Sequence, residues 1–179
     1  MMAKVMKGTA VISVLLALLF TVLCLSGFHW AMPVAITFGT CFYHFAMRLL
    51  VGHILYRKMQ NKADYRKAWY QLHPFEHKLY RMLKVKKWKG NMPTYDPSCF
   101  DPRIHTWDEI AQAMCQAELV HEVIVVFSFL PLLAAIPFGA LPVFLITSLL
   151  AAAYDLSFVI IQRFNRPRII RFIKKERVV

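Results

Sequence analysis

Gly8-Thr9-Ala10-Val11-Ile12-Ser13-Val14-Leu15-Leu16-Ala17-Leu18-Leu19-Phe20-Thr21-Val22-Leu23-Cys24-Leu25-Ser26-Gly27-Phe28 contains no charged side chain, and this run decides the fold. A helix rises about 1.5 Å per residue, so such a run crosses a hydrocarbon layer about 30 Å thick, where backbone groups find no water and must bond within their own segment. Three further stretches meet the same requirement, at about 33–56, 119–136 and 138–161. The joints Phe28-His29-Trp30-Ala31-Met32-Pro33 and Ile136-Pro137-Phe138-Gly139 are short and free of Lys, Arg, Asp and Glu, which folds the spans into two hairpins. The 179-residue chain is 58% apolar yet carries a formal net charge of +12, so grease and charge must be segregated along it. The expected fold is an all-α integral membrane protein. It is a single membrane domain over 1–179, with four transmembrane helices in two hairpins and interfacial amphipathic helices in a large loop at about 57–117.

Charge position sets orientation, because Lys and Arg of short loops stay on the cytoplasmic side. Lys4 and Lys7 precede the first span, twelve Lys or Arg lie between Arg57 and Arg103, and seven lie from Arg163 to Arg177. Neither hairpin joint has any, and only Arg48 falls inside a span. The N- and C-termini and the large loop are therefore expected in the cytoplasm. A cleaved signal peptide at Met1 to Phe28 is the competing reading, but its apolar run exceeds the usual core of about 7–15 residues and no small-x-small site follows.

The loop interleaves Trp69, Tyr70, Phe75, Tyr80, Met82, Leu83 and Trp88 with Lys and Arg, a composition too aromatic for a free linker. Basic residues facing anionic lipid while rings sink toward the acyl chains make it a membrane-facing cap. Pro74 opens a short helix to about Lys84, Lys86 to Pro93 breaks its periodicity, and Thr106-Trp107-Asp108-Glu109 has capping-box spacing that starts a helix leading into the third span. Cys24, Cys41, Cys99 and Cys115 form no CxxC pair, so neither a disulfide framework nor a metal site is indicated. No phosphate-binding glycine loop, dinucleotide fingerprint or nucleophile elbow is present, so no cofactor is expected. The basic charge is explained by topology rather than by nucleic acid.

Ionisable groups in or beside membrane spans are costly, at about 2.5–3.5 kcal/mol each at mid-span, and usually carry function or pair with one another. Three groups qualify. His44 and Arg48 share a face of the second span; Glu118, His121 and Glu122 sit where the third begins; Asp155, Gln162, Arg163, Asn165, Arg166 and Arg168 follow the fourth toward its basic end. Each has an ordinary reading: boundary polarity for the Glu118 group, a buried ion pair for Arg48, a positive anchor for the arginine run. A histidine beside a carboxylate also suits proton abstraction from a hydroxyl, as acyl transfer to an alcohol requires.

Glu76-His77-Lys78-Leu79-Tyr80, Val85-Lys86-Lys87-Trp88-Lys89-Gly90-Asn91-Met92-Pro93, Ala117-Glu118-Leu119-Val120-His121 and Gln162-Arg163-Phe164-Asn165-Arg166-Pro167-Arg168 resemble, in this order, the bacterial glycosyl-diaponeurosporenoate acyltransferases of staphyloxanthin-type carotenoid biosynthesis. The resemblance covers most of the chain after the first span. It implies a membrane O-acyltransferase of the bacterial cell membrane that moves a fatty acyl chain from a lipid donor, acyl-CoA or phospholipid, onto a sugar hydroxyl of a glycolipid-like acceptor. It singles out His121 as base with Glu118 polarising it, and Glu76, Tyr80, Trp88, Lys89, Gln162, Arg163, Asn165 and Arg166 as substrate-binding residues. Arg48 joins them from its place in the second span. Lys89, Arg163 and Arg166 would hold donor phosphates or the developing oxyanion. Asp155-Leu156-Ser157 stands where an Asn-Leu-Pro-like segment is expected and Phe164 where Tyr is usual, so the resemblance assigns Asp155 no role. Another lipid- or lipoprotein-modifying transferase, or a non-catalytic lipid-binding subunit, stays open as an alternative.

Overall fold

A computed structural model describes residues 2–176, and Arg177 of the basic tail lies outside them. The described residues form seven α-helices: α1 (Met2–Leu25), α2 (Met32–Met59), α3 (Pro74–Met82), α4 (Val85–Trp88), α5 (Trp107–Phe127), α6 (Ala135–Phe138) and α7 (Leu141–Glu176). Among them are four helical stretches long and apolar enough to cross a membrane: Ala3–Leu25, His29–Met59, Trp107–Phe138 and Leu141–Glu176. α1 packs mainly along α2, α5 mainly along α7, and α2 also meets α5.

The ends of these helices follow from local chemistry. α1 stops at Gly27, whose φ of +99° suits a residue without Cβ; the Phe28 amide donates to the Leu23 carbonyl and the Gly27 amide to that of Cys24, a paired helix end. Phe20 then stacks on Phe38 and meets Trp30 edge-on, pinning the corner between α1 and α2. α2 ends where Gln60 and Asn61 turn left-handed, and the Asn61 amide donates to Gln116 Oε1 at 2.6 Å, tying this end to α5. Thr106 caps α5: the Glu109 amide donates to Thr106 Oγ1, and Glu109 Oε2 accepts from the Thr106 amide.

The second pair of spans departs from the sequence reading. The third helix begins at Trp107, as the Thr106 capping box predicts, but breaks after Phe127 into a 3-10 stretch, Leu130–Ala134, and the short α6. Pro131 lacks the amide that would continue the ladder, and the Ser128 hydroxyl bonds back to the Ile124 carbonyl at the break. Pro137, expected in the turn, lies within α6, and the turn falls at Gly139, φ +78°, ahead of α7. α7 then runs unbroken through the Arg163 to Lys175 segment, with Pro167 inside it.

Burial is inverted relative to a protein bathed in water. Glu118, Asp155 and Arg166 are buried, whereas Leu15, Val22, Val126 and Leu150 are exposed. Met47, Val51 and Ile124 form a small apolar core between α2 and α5; Ala63, Tyr65, Tyr70, Ala111, Cys115 and Ile173 form another where the loop meets α5 and α7. An apolar outer face of this extent fits a surround of hydrocarbon. Leu19, 52% exposed in the middle of α1, should therefore not tolerate charge. Leu19→Arg is expected to cost about 2.5–3.5 kcal/mol of insertion free energy, read as loss of protein from the membrane fraction; undiminished membrane yield would contradict an outward lipid face.

Candidate active site

The polar residues gather in two layers along α5 and α7. The layer nearer the loop centres on Arg163. Its Nε and Nη2 donate to Glu76 Oε1 and Oε2 at 2.6 and 2.9 Å, its Nη1 donates to Glu118 Oε1 at 2.7 Å and to the Trp69 carbonyl, and its Nη2 donates also to the Gln71 carbonyl. These bonds engage every N–H of the guanidinium. Arg166 donates through Nη1 to the Tyr70 carbonyl at 2.5 Å, pairs through Nη2 with Glu118 Oε2, and lies over the Tyr70 ring. Two carboxylates thus face two guanidiniums, and buried charge is balanced.

Glu76 sits at the centre of this layer because α3 begins with Pro74. Its Oε2 accepts from the His73 amide at the head of the helix, and its Oε1 accepts from the Tyr80 hydroxyl one turn on, both at 2.6 Å. Burial alone would raise the Glu76 carboxyl, but the hydrogen bonds from Arg163, Tyr80 and the His73 amide outweigh it and bring it down to about 2. The Tyr80 hydroxyl moves the opposite way, raised by burial and by its bond to Glu76. Trp69 adds one more tie from the loop, its Nε1 donating to Glu122 Oε2 at 3.0 Å.

The second layer lies deeper among the long helices, about 12 Å from Arg163 along α7 at ~1.5 Å per residue. His121 Nδ1 lies 2.9 Å from Asp155 Oδ1, and its ring stacks on Phe158 with centroids 4.6 Å apart. Asp155 Oδ2 is ion-paired with Arg48 Nη2, and Arg48 also donates to the carbonyls of His44 and Ala151. Asp155 is 1% exposed, whereas the His121 side chain keeps 24% of its surface. The arrangement is a histidine whose Nδ1 is oriented by a carboxylate that an arginine neutralises, with part of the side chain still exposed.

These contacts sort the expected residues. Glu118 and His121 are neighbours on α5 but address different partners: Glu118 faces the two arginines, and the carboxylate at His121 is Asp155. Arg163 and Arg166 are spent on Glu76, Glu118 and backbone carbonyls. Lys89 Nζ donates to Asn165 Oδ1 at 2.5 Å and lies over the Phe164 ring. Trp88 Nε1 donates to the Leu83 carbonyl, closing its own turn, and Gln162 is half-buried on α7. Sequence reasoning passed over Asp155 as a partner of His121, although an aspartate in an apolar span was itself the signal. Among the described residues no cluster of His, Cys, Asp and Glu could hold a metal.

Removing one charge from the Arg163 layer should cost far more than a surface ion pair. Glu118→Gln leaves a buried guanidinium uncompensated, and a loss of about 3–5 kcal/mol is expected, measured as chemical or thermal unfolding in detergent. Glu76 adds a pH signature. A carboxyl lowered from 4.5 to about 2 contributes stability that is whole above pH 4.5 and is lost as pH falls toward 2. Wild type is expected to lose thermal stability across that window more steeply than Glu76→Gln; parallel curves would contradict the clamp.

The sequence pattern of glycosyl-4,4'-diaponeurosporenoate acyltransferases matches residues 66–175, which include α3 to α6, nearly all of α7 and both layers except Arg48. No curated protein and no solved structure gives a significant match. With that match extending over more than half of its length, the chain belongs to the glycosyl-4,4'-diaponeurosporenoate acyltransferase family.

Proposed function

We propose that this acyltransferase moves a fatty acyl chain from a lipid donor onto a sugar hydroxyl of a glycosylated lipid such as a glycosyl carotenoid, with His121 as the base. The observation that carries the reading is the His121–Asp155–Arg48 chain, buried at one end and open at the other. In the neutral ring, Nδ1–H donates to Asp155, which leaves the Nε2 lone pair for the acceptor hydroxyl. As the hydroxyl oxygen bonds to the acyl carbonyl carbon, its proton passes to Nε2, and the imidazolium is stabilised by Asp155. Collapse of the tetrahedral intermediate breaks the bond from acyl carbon to the donor's sulfur or oxygen, and the leaving group takes the proton back from Nε2. Arg48 holds the Asp155 carboxylate in place, so it and Asp155 are positioning residues.

Glu118, Glu76, Tyr80, Arg163 and Arg166 then hold the loop against α5 and α7 and set the height of His121, rather than touching the reacting atoms. Lys89 is the cation suited to a donor phosphate, because its partner Asn165 is neutral. Burial, reinforced by the nearby positive charges of Arg168 and Lys86, disfavours its ammonium until an anion arrives. Trp88 and Gln162 border the same end of α7. The concentration of Lys and Arg at this end supports a cytoplasmic site in the bacterial cell membrane, with both termini on that side. Phe75 and Met82, exposed on α3 on either side of Lys78 and Arg81, support a cap that rests on the headgroups.

His121→Ala is expected to lower acyl transfer by about 10²–10⁴ while the protein stays folded by thermal unfolding. Asp155→Asn should lower kcat far more than it changes KM. Purified protein with donor and glycolipid gives both by product mass spectrometry. Undiminished transfer by His121→Ala would remove the base, and a mass increment other than an acyl group would point to another transferase class. Unchanged lipids in cells lacking the protein would favour a lipid-binding subunit.

A further inference from the structure

Two polar side chains lie deeper than the His121–Asp155 pair and are used by neither layer. His44 is 7% exposed and Ser148 is 0% exposed, and among the described residues both ring nitrogens of His44 and the Ser148 hydroxyl oxygen are buried without a hydrogen-bond partner. Buried polar atoms are nearly always satisfied, so unpaired ones in an apolar layer call for a partner that arrives from outside.

The helix register places the two at similar depth. α2 and α7 both run from their apolar joints toward the basic end, and the Arg48 guanidinium touches the His44 carbonyl, the Ala151 carbonyl and the Asp155 carboxylate at once. The His44 and Ala151 carbonyls therefore stand at similar depth, and Ser148, three residues before Ala151, lies within one turn of that depth. Ser148, Ala152, Asp155 and Val159 are all buried on α7, so Ser148 shares the inward face of Asp155. Seven residues at ~1.5 Å put it about 10 Å deeper.

We propose that His44 and Ser148 form a second, uncharged subsite that binds the carbonyl oxygen of the ester joining sugar to acid in a glycosyl ester acceptor. A neutral imidazole offers one N–H donor and a serine hydroxyl one O–H donor, and both suit a neutral oxygen better than an anion. The depth order of the protein, His121 first and then His44 with Ser148, matches the order of groups along such an acceptor: reacting sugar hydroxyl, ester linkage, apolar chain. The separation is comparable with one sugar ring and its linkage. The inference rests on the proposed function, whose family name describes a glycosyl group on a carboxylate.

The test is binding without donor, so that no turnover is needed. The full chain in nanodiscs is titrated with two radiolabelled probes of equal chain length, dodecyl glucoside and glucose carrying a dodecanoyl ester on its anomeric oxygen. Wild type is expected to prefer the ester by about tenfold. Ser148→Ala and His44→Phe should each remove most of that preference while leaving affinity for the glucoside within about twofold. Ser148→Ala removes a single oxygen, so it keeps the test readable if His44→Phe does not fold. No preference in wild type, as when a buried water satisfies these groups, would overturn the proposal, as would a preference that survives both substitutions. Adding acyl donor to the wild-type sample separates the two claims: ester preference without transfer defeats the catalytic reading and leaves the subsite standing.

Discussion

Asp155 is a carboxylate in the interior of an apolar helix bundle, and it must find positive charge there. Arg48 supplies it. The guanidinium crosses from α2 to α7, occupies one carboxylate oxygen, and leaves the other facing His121. A charge left alone at this depth would cost more than most proteins have to spare, so the ion pair fixes where α2 stands relative to α7. It also fixes the imidazole on α5. One electrostatic requirement thus places three helices and orients the group to which the chemistry is assigned.

The outer layer applies the same rule where the helices meet the loop. Arg163 and Arg166 point from α7 into Glu118 and Glu76, and they also gather the carbonyls of Trp69, Tyr70 and Gln71, which belong to no long helix. An irregular segment has backbone acceptors that need donors, and a saturated guanidinium provides several in one plane. The loop is therefore held by charge and backbone bonds as well as by the apolar cluster of Tyr65 and Tyr70 with Ala111, Cys115 and Ile173. Its apolar residues Phe75 and Met82 remain exposed.

What could be read from the sequence was local. A chargeless run, a proline at a helix start and the Thr106 to Glu109 spacing each act over a few residues, and four apolar helices and the start of α5 follow from them. The break after Phe127 was missed because average hydropathy does not register a single absent amide at Pro131. The partners of His121 and Arg48 were beyond reach: Arg48 and Asp155 are 107 positions apart, and no pattern of spacing encodes such a meeting. Glu118 was the sequence neighbour of His121 and therefore the natural candidate for its carboxylate. On the helix it turns to Arg163 and Arg166. Asp155 was visible as an anomaly in an apolar span, but it departs from the family pattern.

On the proposed mechanism Asp155 is the carboxylate that governs the tautomer and orientation of His121. Solid-state NMR of the protein carrying nitrogen-labelled histidine, in lipid, reads that tautomer at the ring itself. The account expects a His121 signal with the proton on Nδ1 that is lost or displaced in Asp155→Asn and keeps its position in Glu118→Gln. A signal that follows Glu118 and ignores Asp155 would contradict it.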